Sequence, residues 1–486
     1  MDIFVSAIVG DLISRSATFV INKYFRHQPG IDEILQRLQR VVLRIDTAVK
    51  EAEGRHITNQ GMLLQLKMLS QGMYRGHYVL DAMRFQDFGE EEKLNLSSAA
   101  LSKFSPSKWL RFSCTGTGSV SSNREALLFE LQLMVDTLED TMAGMKEFLI
   151  FLESYPRILR QPYGTYLLLD NCMFGRQTER QQVLNFLLRP SATPDLDVLP
   201  IVGPRRVGKR TLVEYVCREE KGSLKDEGVI DLRGNNIKVR HQNSDSRNRF
   251  LVIVEIAEDI NEGTWKRLKS SAACMSPCSG SKIIITSRSD AIVNLGTTEA
   301  LRLDYLSQEA YWHFFKSIAF GSTNPDEQPK LATMAMEIAL EQRQCWPGAH
   351  LIAGLLRDNF NARFRRTILE CVRAYKKTHL VMFDKHPNLR VRKDEPVYYW
   401  RLARSCRYFL ICNYHQSDST EEVPKITVRD ILLGCGGTLP CGEFEALAMR
   451  SHIPAYYNYT ISCKMQTPQA TVGRKKRVSR EEGHLI

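Results

Sequence analysis

The stretch VLPIVGPRRVGKRTLVEY, Val198 to Tyr215, passes from an apolar strand through a glycine-bearing turn into an amphipathic helix. Gly203, Gly208 and Lys209 stand where the phosphate-loop pattern G-x-x-x-x-G-K-[ST] places them, and Arg210 takes the position of the final hydroxyl. In such a loop the glycines let consecutive backbone N–H groups turn toward an anion. The helix N-terminus adds its positive dipole end, and the lysine neutralises the β- and γ-phosphates. A strand, loop and helix in this order predict an α/β domain whose ligand sits at the carboxyl ends of parallel strands.

Arg210 changes the chemistry expected of that loop. The hydroxyl after the lysine normally holds Mg²⁺, which bridges the phosphates during transfer, whereas a guanidinium is always a cation and only a donor. Two dispositions are open to it. It folds onto the phosphates and supplies the lost charge, leaving a loop that binds nucleotide and turns it over poorly, or it points into solvent from a loop that no longer binds. Thr211 is one residue late and, on a helix, about 100° round from the missing hydroxyl.

Outward from the loop, RFLVIVEI (Arg249 to Ile256) and SKIIITSR (Ser281 to Arg288) are short runs rich in β-branched residues, each followed by a polar or helical segment. This is the pattern of buried parallel strands in a βαβ sequence. An acid pair at the end of the second strand would hold metal and polarise water; Glu255 is present, but its successor is Ile256.

Before the loop the apolar period is helical. Ile34, Leu35, Leu38, Val41, Val42, Ile45 and Val49 form one stripe, Leu63, Leu66, Met73 and Val79 a second, and Leu127 to Leu152 a third. With an opening helix near Phe4 to Phe25 these make four amphipathic helices, which close most simply into an antiparallel bundle. The stripes serve either as a helical core or as a coiled-coil surface that recruits partners. Residues 97–123, rich in Ser and Gly, read as an exposed loop, and a linker with Pro156, Pro162 and Gly164 ends the bundle.

The whole chain has 486 residues, 43% apolar and 25% charged, which suits roughly three globular domains and excludes a disordered protein. No apolar run approaches the ~20 residues of a membrane span, and the start carries Asp2 and Asp11 without the basic opening of a secretory signal, so an intracellular protein is expected. The 12 cysteines then read as buried small hydrophobes in a reducing compartment. Cys274, Cys278, Cys435 and Cys441 lack partners at zinc spacing, so no metal site is expected. Residues 1–170 hold 19 Lys+Arg against 20 Asp+Glu, so the net charge of +11 comes from the loop-bearing half and the tail. That excess attracts phosphates or acidic partners, and no motif for reading nucleic acid accompanies it.

The order of VGPRRVGKRTL, RFLVIVEI, GSKIIITSR, ALRLDYLSQEAYWHFFKSIAFG and CWPGAHLIAGLLR resembles the NB-ARC nucleotide-binding switch of plant intracellular immune receptors. MYRGHYVLDAMRF, Met73 to Phe85, sits where the preceding coiled-coil domain of that family carries its acidic signature, and FGRQTERQQVLNFL, Phe174 to Leu187, is similar to the lead-in to the nucleotide domain. The resemblance covers about residues 1–360. It implies a multidomain α and α/β protein: a coiled-coil four-helix bundle over 1–160, an NB-ARC α/β domain of P-loop NTPase type over 170–320 and a helical ARC-like region over 321–375. Beyond these lie a region of unassigned role over 376–466 and a basic tail over 467–486.

The resemblance also implies a switch that rests with ADP and acts with ATP, at most a weak ATPase, whose coiled-coil domain signals defence by pairing with other immune receptors or signalling proteins, or by self-association. Gly203, Gly208 and Lys209 match the phosphate loop, and with Val207, Arg210 and Thr211 they complete the expected nucleotide-binding stretch. Glu255 matches the first acid, Arg288 the arginine that senses the terminal phosphate, and Pro347 the proline of the GLPL motif. The departures are Arg210, Ile256, and Trp346 and Gly348 where leucines are usual. No histidine-aspartate switch motif follows, and these residues hold no L-x-x-L-x-L repeat for a leucine-rich sensor. Two functions are therefore open: an ADP- or ATP-binding immune switch with little turnover, or a nucleotide-free adaptor or decoy acting through its helical bundle. The expected location is cytoplasmic, with Lys475, Lys476 and Arg477 a candidate nuclear address. The segment RFRRTILECVRAYKKTHLVMF reads as a basic, solvated helix, with membrane or acidic-protein contact as its alternative use.

Overall fold

The computed structural model describes residues 29–85, 120–157, 173–190, 196–219, 229–233, 236–240, 251–256, 262–275, 281–393, 395–400, 408–417, 422–433, 442–451, 453 and 456–466. The expected opening helix near Phe4, the basic tail and most of the expected loop over 97–123 lie outside these residues. The architecture is mixed α and α/β. Two units are distinguished: the first runs to Leu369 and includes Ser451–Tyr457, the second holds Glu370–Arg450 and the residues from Asn458.

The first unit begins with helix α1 (Pro29–Glu53), α2 (Gln60–Phe85) and α3 (Val120–Ala143). On α1 the three-four stripe of Leu35, Leu38, Val42, Ile45 and Val49 is fully buried, as the sequence period requires. Asn59 caps α2 by accepting a hydrogen bond of 3.2 Å from the Met62 amide. The helices cross closely at Gly76, where a Cβ would fall 2.2 Å from Val42 Cγ2, so only glycine fits.

Two expectations for this region need correction. Helix α3 already starts at Val120, within the stretch read as loop, because Ser121, Ser122 and Asn123 sit in a first turn whose N–H groups have no intrahelical partner in any case. The stripe read as continuous to Leu152 also breaks at Gly144, where glycine weakens a helix by about 1 kcal/mol, and α4 (Lys146–Glu153) follows. Met145, Phe148 and Leu152 are its buried side, and Leu149 is 39% exposed.

Helix α5 (Gln177–Leu188) leads into a six-stranded sheet built from β1 (Asp197–Val202), β2 (Val229–Arg233), β3 (Asn236–Arg240), β4 (Leu251–Ile256), β5 (Lys282–Ser287) and β6 (Leu301–Arg302). The order is β3-β2-β4-β5-β1-β6, with β3 antiparallel to β2 and every other pairing parallel. Helix α6 (Lys209–Glu219) follows β1, and α7 (Glu262–Met275) follows β4.

Alternation along continuous apolar strands fills both faces. Leu199, Ile201, Ile253 and Ile284 pack with Val183 and Leu184 of α5 and with Leu212 and Val216 of α6. Val198, Val202, Val252, Val254, Ile283 and Ile285 pack with Trp265 of α7 and with Ile292. Lys282, inside an apolar run, is 5% exposed; its ammonium donates to the carbonyls of Phe186, Leu187 and Arg189, capping the C-terminus of α5.

Helices α8 (Gln308–Phe320) and α9 (Pro329–Gln342) and the helical turns over 346–358 complete the first unit before α10 (Ala362–Phe383). Ser307 caps α8 through the Ala310 amide at 3.2 Å. The basic segment read as a solvated face includes a buried cation. Arg365 is 0% exposed, donates to the carbonyls of Leu331 and Leu356 at 2.9 and 3.0 Å, and lies against the rings of Phe320 and Phe360.

The second unit is a four-stranded antiparallel sheet of order β7-β8-β10-β9, from β7 (Val397–Trp400), β8 (Tyr408–Ser417), β9 (Glu443–Arg450) and β10 (Asn458–Gln466). Buried Val397, Ala446, Ile461 and Cys463 form part of its core. His379 ties α10 to this sheet: its Nδ1 donates to the Tyr375 carbonyl at 2.9 Å, and its Nε2 accepts from the Tyr398 amide at 3.1 Å.

Candidate functional site

Because β4, β5 and β1 run parallel and side by side, their carboxyl ends share one edge, where Val202 and Ile256 both pair with Ser287. The loop from Gly203 to Lys209 leaves β1 there, Glu255 is the penultimate residue of β4, and Arg288 follows β5. The structure thus brings Gly203, Lys209, Glu255 and Arg288 together at one edge, although they are spread over 86 positions of sequence.

The loop's shape follows from its residues. Gly203 donates its amide to the Ser287 carbonyl at 3.2 Å and lies so close to the next chain that a Cβ would meet the Leu303 carbonyl oxygen at 2.3 Å. Arg206 and Gly208 take positive φ of 59° and 94°, which turns the backbone sharply before the helix. Val207, 2% exposed, anchors the turn in the core beside Ile201 and Leu212. Tyr305 donates its hydroxyl to the Arg205 carbonyl at 2.8 Å and braces the loop from outside.

The electrostatics of this edge are cationic. Burial pushes the Lys209 ammonium down to about 8; Glu255 opposes the shift, while Arg288 and Arg205 reinforce it. Burial also lowers Arg205, and Arg288 adds to it. Among the described residues, Lys209, Arg205 and Arg288 thus share this edge with Glu255, an arrangement that suits an anion. In this conformation the Lys209 ammonium donates to the carbonyls of Gly203 and Pro204 at 2.6 and 2.9 Å, closing over its own loop.

Arg210 adopts neither of the dispositions left open by the sequence. Its Nε donates to Glu214 Oε1 one turn along α6 at 2.6 Å, and its guanidinium carbon lies 4.9 Å from the ring centroid of Tyr457. Thr211 is half-buried in the first turn of α6. Pro347 opens the helical turn over 346–348 and connects to the loop through a row of rings. Its neighbour Trp346 packs edge-on against Phe314 at 4.6 Å and Phe314 against Phe174 at 5.2 Å; beside Phe174, Met173 Cε lies 3.4 Å from the Cβ position at Gly208.

Magnesium held by a loop hydroxyl does not fit these residues. The position after Lys209 presents only N–H donors, of which Nε already donates to Glu214, and among the described residues no group of three or more His, Cys, Asp and Glu stands ready for a metal ion. Sequence reasoning missed Arg205, Tyr305 and Tyr457. Arg205 lay inside the quoted loop and could have been counted among its cations. Nothing in the sequence brings Tyr305 or Tyr457, 100 and 247 positions away from their partners, to this edge.

Among the described residues no helix is long and apolar enough to cross a membrane. No family model matches the chain. It is similar to the putative disease resistance RPP13-like protein 1 of Arabidopsis thaliana, 21% identical over 388 residues that cover 73% of this chain and 36% of that protein. It is likewise similar to disease resistance protein RGA2 of Solanum bulbocastanum, 21% identical over 360 residues, 67% of this chain and 35% of that protein. The chain therefore spans about a third of the length of these relatives, and what it shares with them is most of its own length and a likeness to proteins named for plant disease resistance.

Proposed function

We propose that the first unit is an adenine-nucleotide-binding switch of a plant defence protein, holding ADP or ATP at the edge formed by β1, β4 and β5 with little or no hydrolysis. The observation that carries this reading is the meeting of Lys209, Arg205 and Arg288 with Glu255 around a loop whose Gly203 and Gly208 leave no side chain between backbone and ligand. The named relatives support the defence role. In this reading residues 170–320 bind the nucleotide, Pro347 packs beside it, and the helices before residue 160 present the surface that meets other immune receptors or signalling proteins. Weak turnover follows from Arg210 and Ile256, neither of which can hold the metal that bridges β- and γ-oxygens.

A second reading is favoured by the way the loop satisfies itself. With Lys209 closed over the Gly203 and Pro204 carbonyls and Arg210 held by Glu214, the loop also suits a nucleotide-free adaptor that works through its helices. Titration calorimetry of the purified full chain with ADP, together with chromatography of whatever nucleotide is released on denaturation, separates the two. Saturable heat or co-purified ADP supports the switch; no heat and no nucleotide leaves the adaptor.

A further inference from the structure

Arg210 is the residue that the proposed nucleotide site leaves unexplained. It takes the position that carries the metal-binding hydroxyl in a phosphate loop, yet its side chain is turned along α6 to Glu214. Glu214 and Tyr457 are among the groups that hold it there. Glu214, one turn later, accepts from its Nε at 2.6 Å, both side chains being about one-fifth exposed. Tyr457 lies across its guanidinium at 4.9 Å and is itself 1% exposed.

Tyr457 belongs to a short segment with its own internal order. Ser451–Tyr457 groups with the first unit although it lies between β9 and β10 in sequence. The Ser451 amide donates to the Tyr457 carbonyl at 2.8 Å, the Tyr456 amide to the Ile453 carbonyl at 2.8 Å, and the Ser451 hydroxyl to the Ile453 carbonyl at 3.0 Å, so these four described residues are drawn together in a turn. Tyr456 takes a positive φ of 56°, a conformation a bulky residue rarely adopts, and Ile453 packs against the core cluster that contains Leu212, Tyr215 and Val216 of α6. The turn is thus seated on the helix that begins at Lys209.

We infer that Tyr457 is a latch on the proposed nucleotide site: together with Glu214 it holds Arg210 along α6, and its release lets the guanidinium swing onto the diphosphate. The inference rests on the nucleotide reading above. Reach is sufficient, because at this position a hydroxyl one carbon from the backbone already touches a phosphate-bound metal, and the arginine stem is two carbons longer before its Nε. Charge favours the move, since a guanidinium against phosphate forms a charge-assisted and commonly bidentate bond. The latched state includes an ion pair between side chains about one-fifth exposed, which is modest, and a cation–π contact to a buried ring. A partner that binds the Ser451–Tyr457 turn only when it is released from Arg210 would therefore raise nucleotide affinity without touching the nucleotide.

The test is ADP titration calorimetry of the full chain without Mg²⁺, on wild type, Glu214→Gln, Tyr457→Leu, the double variant, and each of these in an Arg210→Ala background. Leucine keeps apolar bulk at the buried position, and Glu214→Gln, on the partly exposed face, probes the same latch where Tyr457→Leu fails to fold. The latch predicts that Glu214→Gln and Tyr457→Leu each tighten ADP binding and together do so about tenfold, the worth of one charge-assisted hydrogen bond, with the gain abolished by Arg210→Ala. Binding by the variants and not by wild type supports it equally. If wild type binds ADP and the variants bind it no more tightly, the latch is rejected and the nucleotide reading stands. If no protein in the set gives heat, the nucleotide reading itself fails and the latch falls with it.

Discussion

Asp81 on α2 accepts a hydrogen bond of 2.8 Å from the indole Nε1 of Trp312 on α8, and the same carboxylate oxygen receives the Lys316 ammonium at 2.5 Å. Trp312 is 1% and Asp81 5% exposed, so one oxygen joins the N-terminal helices to α8 in a dry environment. Asp81 lies inside the segment whose acidic character the sequence had singled out. Asp81→Ala leaves a buried indole N–H and a partly buried ammonium without their acceptor. We expect it to lower unfolding free energy by about 3 kcal/mol. Urea denaturation checks this, and a loss below about 0.5 kcal/mol, the level of an ordinary surface change, would show the joint to be incidental.

The helical stripe allows a sharper test. Leu138 is 4% exposed, with its Cδ2 3.0 Å from the Cβ position of Gly72 on α2, whereas Leu149 is 39% exposed. Leu138→Glu places a carboxylate among apolar side chains and is expected to cost about 3 kcal/mol or more, while Leu149→Glu stays within about 0.5 kcal/mol of wild type. Equal melting temperatures for the two variants would mean that the stripe is not core.

Arg365 is a fixed structural cation. It donates to backbone carbonyls near the ends of three helical segments, Ala319, Leu331 and Leu356, and burial lowers its guanidinium to about 10. Arg365→Met removes all of these bonds at once and should destabilise by about 3 kcal/mol or more. Arg365→Lys should not rescue, because an ammonium cannot reproduce the planar fork that spans several carbonyls. Differential scanning calorimetry of both variants decides it; recovery by lysine would mean that charge rather than geometry matters.

The His77 and His313 rings stand 5.6 Å apart between α2 and α8. Burial pushes His77 down to about 4, Lys316 and Lys50 adding to the shift while Asp81 and Asp46 oppose it. Burial likewise holds His313 well below its usual 6.5, with Lys316, His77 and Lys50 in the same direction. The unfolded chain takes up these protons first, near pH 6.5. The contribution of these two histidines should therefore be flat above that pH and fall as pH drops toward about 4, with a slope of up to about 1.4 kcal/mol per pH unit for each histidine. His313→Phe, seated among the rings of Tyr74 and Phe174, should remove one histidine's share of the slope. Denaturation midpoints at pH 7.0, 6.0 and 5.0 measure it, and an unchanged slope would exclude His313 as a source.

At the loop, Gly203→Ala is expected to abolish ADP binding, since a Cβ 2.3 Å from the Leu303 carbonyl must displace either the loop or the strand that follows. Lys209→Met should weaken ADP binding strongly at little cost in melting temperature, because it removes a charge and leaves the backbone turn intact. Calorimetry paired with thermal melting distinguishes a lost ligand contact from a lost fold, and undiminished ADP binding by Lys209→Met would take the ligand away from this edge.

Much of this architecture was legible in residue order. The runs LVIVEI and KIIITS could only be strands covered on both faces, and the stripe from Leu35 to Val49 could only be a helix with one buried side, because side-chain period and backbone geometry are linked locally. The Gly203, Gly208 and Lys209 spacing marked the loop, and parallel neighbours at β1, β4 and β5 carried Glu255 and Arg288 to it. The break at Gly144 was less visible, since a single glycine is tolerated in many helices and the packing of α3 and α4 against their neighbours decides whether the helix ends there.

What the sequence determined by itself was therefore the helical stripes, the strands β1, β4 and β5 and the position of the loop between β1 and α6, all set by spacings of a few residues. Only the tertiary structure decided the fates of the charges. Arg365 reads as one more cation on a basic helix until three backbone carbonyls converge on it, Lys282 reads as a strand terminus until α5 ends above it, and Arg210 reads as a phosphate ligand until Glu214 and Tyr457 claim it. Long, flexible, strongly hydrated side chains take whichever acceptor the fold brings within reach, and those acceptors come from residues up to 247 positions away, a distance over which local spacing carries no information.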